Sequence, residues 1–269
     1  MRPEDVIEIA LRSKPFYDVL CQTKLDADWI SWRWERGPHN RSNSIQVQFS
    51  NPRRHTVTIL LPIWDVAVKS DKTFDIYDVQ HWRIHSEGTC DDTELRIELA
   101  EPELSNADFN EKLTKWLLAF IRTEDQRVSG DFQSPEELEG FYLWNHFKKF
   151  SRLEVRCLFP EKQIDALKFF NETLEGEEVH LQLHDSNTLD VAGEKYAVPL
   201  RGRKLTYKNV PFLHPDAVLF SSCVDIHLDQ CDVCQSFSNA VLAKDEFFDR
   251  VALWTTMGSW FQLYDRKYE

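Results

Sequence analysis

The chain has 269 residues, with 45 Asp and Glu against 32 Lys and Arg, a formal net charge of −13. Its 42% hydrophobic content and nine Trp exclude a disordered chain. The acid excess argues against nucleic acid or an anionic membrane as main partner, because affinity there comes from Lys and Arg neutralising phosphates.

The length suits one large domain or two smaller ones. The longest apolar stretch, Ile59–Trp64, is interrupted by Pro62, whereas a spanning helix needs about 20 apolar residues. The first residues carry Glu4, Asp5 and Glu8 and do not read as a signal peptide. Cys21, Cys90, Cys157, Cys223, Cys231 and Cys234 then read as reduced thiols of a cytoplasmic or nuclear protein. The sequons at Asn40 and Asn171 become chance matches.

In chain order, residues 3–20 read as a short helix pair, with Val6, Ile7, Ala10 and Leu11 at helical spacing. Trp29, Trp32 and Trp34 in DWISWRWERG belong either to a core strand or to a partner-binding patch. Residues 45–49 and 56–61, separated by Asn51-Pro52, predict a hairpin-like strand pair. Phe74–Ile84 and Leu95–Leu99 read as further strands. Phe109, Leu113, Trp116, Leu117, Phe120 and Ile121 form one helical stripe, opened by Ser105-x-x-Asp108 as a capping box. The polar stretch Thr123–Pro135 is the candidate boundary between two halves.

In the second half, apolar residues alternate with polar ones in five candidate strands. They begin near residues 153, 179, 205, 224 and 251, at spacings of 26, 26, 19 and 27 residues. Helical stripes lie between them: Ile164, Leu167, Phe170 and Leu174 form one, and Phe237, Ala240 and Val241 start another. A strand and a helix repeated at that period predict a leucine-rich-repeat-like array of parallel strands. An ordinary α/β domain with accidental spacing is the competing reading. Parallel neighbours would line one polar sheet face with Glu154, Arg156, His180, Gln182, His184, Thr206, Asp225, His227, Asp229, Arg250 and Trp254. Such a mixed face suits recognition of a protein segment, or is simply solvated.

No catalytic signature emerges. Neither GxGxxG, GxxxxGK[ST] nor GxSxG occurs. Loop acids such as Asp91-Asp92 and Glu175–Glu178 read as solvated, and His81 and His85 as structural. Cys223, His227, Cys231 and Cys234 make a legitimate zinc set by residue type. Yet a strand would hold Cys223 and His227 about 13 Å apart, and the same objection removes His180 with His184. The expectation is therefore no metal site, no cofactor and no enzyme.

The segment MRPEDVIEIALRSKPFYDVL resembles the second half of a nematode-type F-box through Met1, Pro3, Glu4, Asp5, Val6, Ile7, Ala10, Leu11, Ser13 and Tyr17. The Pro/Leu-rich run of that family's first helix is absent. The later strand, short helix, strand, helix and strand at Leu205–Tyr207, Pro215–Phe220, Cys223–Leu228, Ser236–Ala243 and Val251–Leu253 are similar to the C-terminal region of F-box-associated domains. The resemblance implies three parts: partial F-box-like helices over 1–22, a β-rich region with one amphipathic helix over 23–130, and a repeat-like α/β substrate-binding region over 131–269. It implies a substrate receptor of a cullin-type ubiquitin ligase, with Pro3, Val6, Ile7, Ala10 and Leu11 meeting a Skp-type adaptor and a protein substrate on the repeat face. The alternatives are a free-standing binding domain without ligase coupling and a zinc protein.

Overall fold

A computed structural model describes residues 3–36, 41–50, 55–61, 76, 82–89, 92–99, 107–184, 195–219, 221, 223, 225–229, 250–254 and 260–265. The chain divides into two compact units, Met1–Gly130 and Asp131–Glu269.

The first unit opens with helices α1 (Pro3–Arg12) and α2 (Lys14–Thr23). Ser13 separates them: its side chain accepts the Phe16 amide at 3.4 Å, and Pro15 fits the first turn of α2. Then come β1 (Leu25–Asp26), β2 (Trp29–Arg36), β3 (Arg41–Phe49), β4 (His55–Leu61), β5 (Trp82–Thr89), β6 (Asp92–Leu99), α3 (Ala107–Phe120), β7 (Ile121–Arg122) and β8 (Gln126–Phe132). The sheet order is β8-β2-β3-β4-β6-β5. Strand β2 runs parallel to β8, β4 runs parallel to β6, and the other neighbours are antiparallel.

The expected hairpin is β3 with β4, pairing Ile45 with Ile59 and Val47 with Val57. Helix α3 buries Phe109, Leu113, Trp116, Leu117 and Phe120. Tyr17 of α2 stacks on Trp116 with ring centroids 5.2 Å apart. Trp32 and Trp34 are buried, and the Trp32 indole donates to Thr114 Oγ1 of α3 at 3.2 Å. These two tryptophans are therefore core. Trp29, of opposite parity, lies beneath the Arg127 guanidinium at 5.0 Å. The polar stretch Thr123–Pro135 holds a strand, β8, in which Val128, Gly130 and Phe132 are buried. Ser105, and all of Phe74–Ile84 except Ile76 and the start of β5, lie outside the described residues.

The second unit contains α4 (Pro135–Glu139), α5 (Leu143–His146), β9 (Lys149–Cys157), α6 (Gln163–Thr173), β10 (Glu175–Gln182), β11 (Lys204–Lys208), α7 (Pro215–Leu219), β12 (Asp225–Asp229), β13 (Arg250–Trp254) and β14 (Trp260–Asp265). Strands β9, β10, β11 and β12 are neighbours in that order and all parallel. Strand β14 follows antiparallel to β12, and β13 pairs antiparallel to β14. The expected fifth parallel strand is thus displaced by one position, because β14 occupies the edge of β12.

The parallel register stacks two apolar rows: Leu153, Val179, Leu205 and Ile226, then Val155, Leu181, Tyr207 and Leu228. All eight side chains are buried. Each contributes about 1.5–3 kcal/mol of hydrophobic stabilisation. Helix α6 buries Ala166, Leu167 and Phe170. Polar brackets tie the segments between strands together. Buried Asn171 donates to Tyr196 Oη at 2.6 Å and to the Pro199 carbonyl at 3.0 Å, and accepts from the Arg201 amide at 2.7 Å. Asn209, left-handed at φ 60°, donates to the Leu183 carbonyl at 3.1 Å. Both residue types follow from geometry, since Asn tolerates the left-handed region and supplies backbone-like donors and acceptors.

Candidate functional site: the polar face of the parallel sheet

Residues of the other parity on β9 to β12 form three rows across the sheet. Arg152, Glu178, Lys204 and Asp225 share the first register line. Glu154, His180, Thr206 and His227 share the second. Arg156, Gln182, Lys208 and Asp229 share the third. Neighbours in a row are about 4.8 Å apart. Side chains of the first two rows are exposed or half-exposed, as are those of Arg156, Gln182 and Lys208. His184 is exposed just past β10.

Fixed charges of this face pair both across and along strands. Lys204 Nζ meets Glu178 Oε1 at 3.3 Å, and Arg152 meets Glu154 at 3.6 Å. Arg156 grips Asp131 of β8 in a two-pronged bond, Nε to Oδ1 at 2.5 Å and Nη2 to Oδ2 at 2.6 Å. The Asp131 side chain is only 5% exposed, so the guanidinium is anchored on a buried carboxylate while its own side chain stays 50% exposed. In the middle row, partial burial and the adjacent Arg152 hold the His180 imidazole below its ordinary pKa, against the opposing pull of Glu154 and Glu178.

The expected site residues fall into place unevenly. Glu154, Arg156, His180, Gln182, Thr206, Asp225, His227 and Asp229 share the register lines of one face. Arg250 and Trp254 do not. Through β14, their parity matches Ile226 and Leu228, whereas Gln262 holds the register position beside His227. The intervening antiparallel strand sets that phase, which spacing along one strand cannot reveal. Glu178, read above as a solvated loop acid, sits in β10 and pairs with Lys204. Four further residues, Arg152, Lys204, Lys208 and Asp131, belong to this surface. The first three are recoverable by extending the period of two along β9 and β11. No local signal marks Asp131.

The N-terminal stripe also differs from its expected use. Pro3, Val6, Ile7, Ala10 and Leu11 are buried within this fold, so these side chains are not presented to an adaptor. The exposed apolar residues of the helix pair are Ile9, 38% exposed, and Val19, 53% exposed. An amphipathic stripe signals burial, and here the protein's own core supplies it.

The zinc set is divided as well. The Cys223 thiol is buried, 3.6 Å from the Leu200 carbonyl, while His227 lies on the polar register line. Cys231 and Cys234 lie outside the described residues. Among the described residues, no group of three or more His, Cys, Asp or Glu side chains is placed to hold a metal ion. No described helix is long and apolar enough to cross a membrane. No protein-family model matches the chain. No curated protein matches it. No solved structure matches it.

Proposed function

We propose that this chain is a non-catalytic protein-interaction module that docks a protein segment on the polar face of β9 to β12. The observation that carries this reading is the three-row register, which arrays charged, imidazole, hydroxyl and amide groups at the strand spacing on one rigid sheet. A rigid platform lowers the entropy lost on binding. Selection from a displayed random-peptide library tests it. Thr206→Trp puts a bulky ring at the centre of the face, and Trp suits a strand. Selected peptides are expected to lose at least about tenfold in affinity for that variant, more than about 1.4 kcal/mol. Peptides unaffected by Thr206→Trp would place their binding elsewhere and overturn the reading.

The resemblance to F-box-associated receptors extends the proposal to a ligase subunit. In that role the module holds a substrate while a ubiquitin-conjugating enzyme on the assembly transfers ubiquitin. Adaptor binding then depends on the outer faces of α1 and α2, because Ile7 and Leu11 are buried. Co-purification with a Skp-type adaptor, lost in Ile9→Asp with Val19→Asp, would support the coupled receptor. No association of the wild type supports the second reading, a free-standing binding domain, which the burial of the α1 stripe favours.

A further inference from the structure

We infer that the polar face of β9 to β12 docks on the same face of a second copy of this chain, in a two-fold dimer whose axis runs along the strands between β10 and β11. This inference rests on the docking reading above and names its partner.

The order of the charges carries it. As a whole the face is close to neutral: Arg152, Arg156, Lys204 and Lys208 stand against Glu154, Glu178, Asp225, Asp229 and the Asp131 that holds Arg156. It therefore favours neither a polyanion nor a polycation. The first row reads Arg152, Glu178, Lys204, Asp225 from β9 to β12, so the sign alternates at every strand. Read in reverse, this row is its own complement. Its side chains are within reach of a partner: Arg152 is 47% exposed, Glu178 38% and Lys204 55%, and Asp225 is half-exposed.

Two copies that meet face to face with aligned strands have their two-fold axis either along the strands or across them. An axis along the strands sets each row opposite itself and reverses its order. The Arg152 position then faces Asp225 of the second copy, and Glu178 faces its Lys204. In the second row Glu154 faces His227 and His180 faces Thr206; in the third, Arg156 faces Asp229 and Gln182 faces Lys208. No like charges oppose each other. An axis across the strands instead sets the first row opposite the third, strand by strand. Arg152 then faces Arg156, Lys204 faces Lys208 and Asp225 faces Asp229. Like charges would oppose each other on β9, β11 and β12, which selects the first arrangement. At its axis, the bridge of Lys204 to Glu178 at 3.3 Å meets its symmetry mate in a ring of four alternating charges. Each bridge already orders its two side chains, so joining them costs less than forming isolated pairs. Facing sheets stand about 10 Å apart, a gap that pairs of long side chains can span. The three rows cover only about 14 Å across and about 13 Å along the strands. That is small for a stable interface, so the dimer is weak and sensitive to salt.

The test is analytical ultracentrifugation of the full chain from about 10 μM to about 1 mM, at about 50 mM and about 500 mM salt. The wild type should pass from monomer towards dimer as concentration rises, at least about tenfold more weakly at the higher salt. Lys204→Glu alone sets carboxylates against carboxylates at the axis, and Glu178→Lys alone sets ammonium groups against ammonium groups. Each should associate with itself at least about tenfold more weakly than the wild type. An equimolar mixture of the two variants restores both opposite-charge contacts and should return to within about threefold of the wild type. The swap of both, Glu178→Lys with Lys204→Glu, keeps the bridge within each chain and serves if a single variant fails to fold. It should associate with itself and not with the wild type. A wild type that stays monomeric at about 1 mM and low salt would overturn the inference. So would a mixture that associates no better than its components, or a swap variant that pairs with the wild type as well as with itself. A monomeric wild type whose library-selected peptides still need Thr206 would overturn the second copy alone, leaving the docking role in place.

Discussion

At the residue scale, the three described free cysteines occupy different environments, and their reactivity should follow. Burial pushes the Cys157 thiol up to about 12. Cys223 is buried as well, whereas Cys21 of α2 is partly exposed. A thiol reagent at mildly alkaline pH should therefore modify Cys21 well before Cys157 and Cys223, since the thiolate is the reactive form. Mass-resolved alkylation of the native chain checks this; labelling of Cys157 at the rate of Cys21 would contradict its placement at the end of β9. Asn209 offers a second test. Replacing it with Ala removes a buried donor to Leu183 and leaves a side chain at φ 60°, costing about 2–3 kcal/mol, whereas Gly relieves the backbone and costs about 1 kcal/mol less. Urea unfolding of the two variants measures the difference.

His180 links residue chemistry to stability. Its folded pKa lies below the ordinary value of 6.5, so the unfolded chain binds more protons between the two values. Stability from this group is complete above about pH 6.5 and falls as pH drops through the lowered pKa. Urea midpoints measured from neutral to mildly acidic pH should decline more gently in His180→Gln than in the wild type.

At the scale of elements, two positions report on packing. Ile7 is fully buried in α1 while Ile9, two residues on, is 38% exposed. Ile7→Asp should destabilise the first unit by on the order of 4 kcal/mol, because it buries an unpaired charge, and Ile9→Asp should be close to neutral. Circular dichroism melts of the two variants separate an internal stripe from an outward-facing one. Gly202 leads into β11 at φ 131°, and a Cβ there would stand 2.6 Å from Leu205 Cδ2 and 3.0 Å from the Gly176 carbonyl oxygen. Gly202→Ala should therefore cost about 2 kcal/mol or more, from backbone strain and a close approach to the neighbouring segment.

Element type was largely legible from periodicity. The helix pair, α3, the β3–β4 hairpin, α6 and the strands β9 to β12 all show in the spacing of their apolar residues, which each segment carries locally. Strand β8 is less legible. Its polar residues and Gly130 mask an alternation that burial of Val128, Gly130 and Phe132 reveals. The outward side of α1 was not legible either, because one amphipathic stripe serves equally for an internal core and for a partner.

At the scale of the whole molecule, the sequence by itself determined the class of structure, a mixed α/β chain. It also determined the parity of each parallel strand, and so which of Glu154, Arg156, His180, Gln182, Thr206, Asp225 and His227 point away from the apolar rows. Only the tertiary structure decided the register lines that bring them side by side, the bond from Asp131 to Arg156, and the opposite parity of Arg250 and Trp254. The physical reason lies in range. Side-chain alternation is set by neighbouring residues along one strand, whereas register, strand insertion and lateral ion pairing depend on segments tens of residues apart, whose meeting is decided by the shared burial of the core.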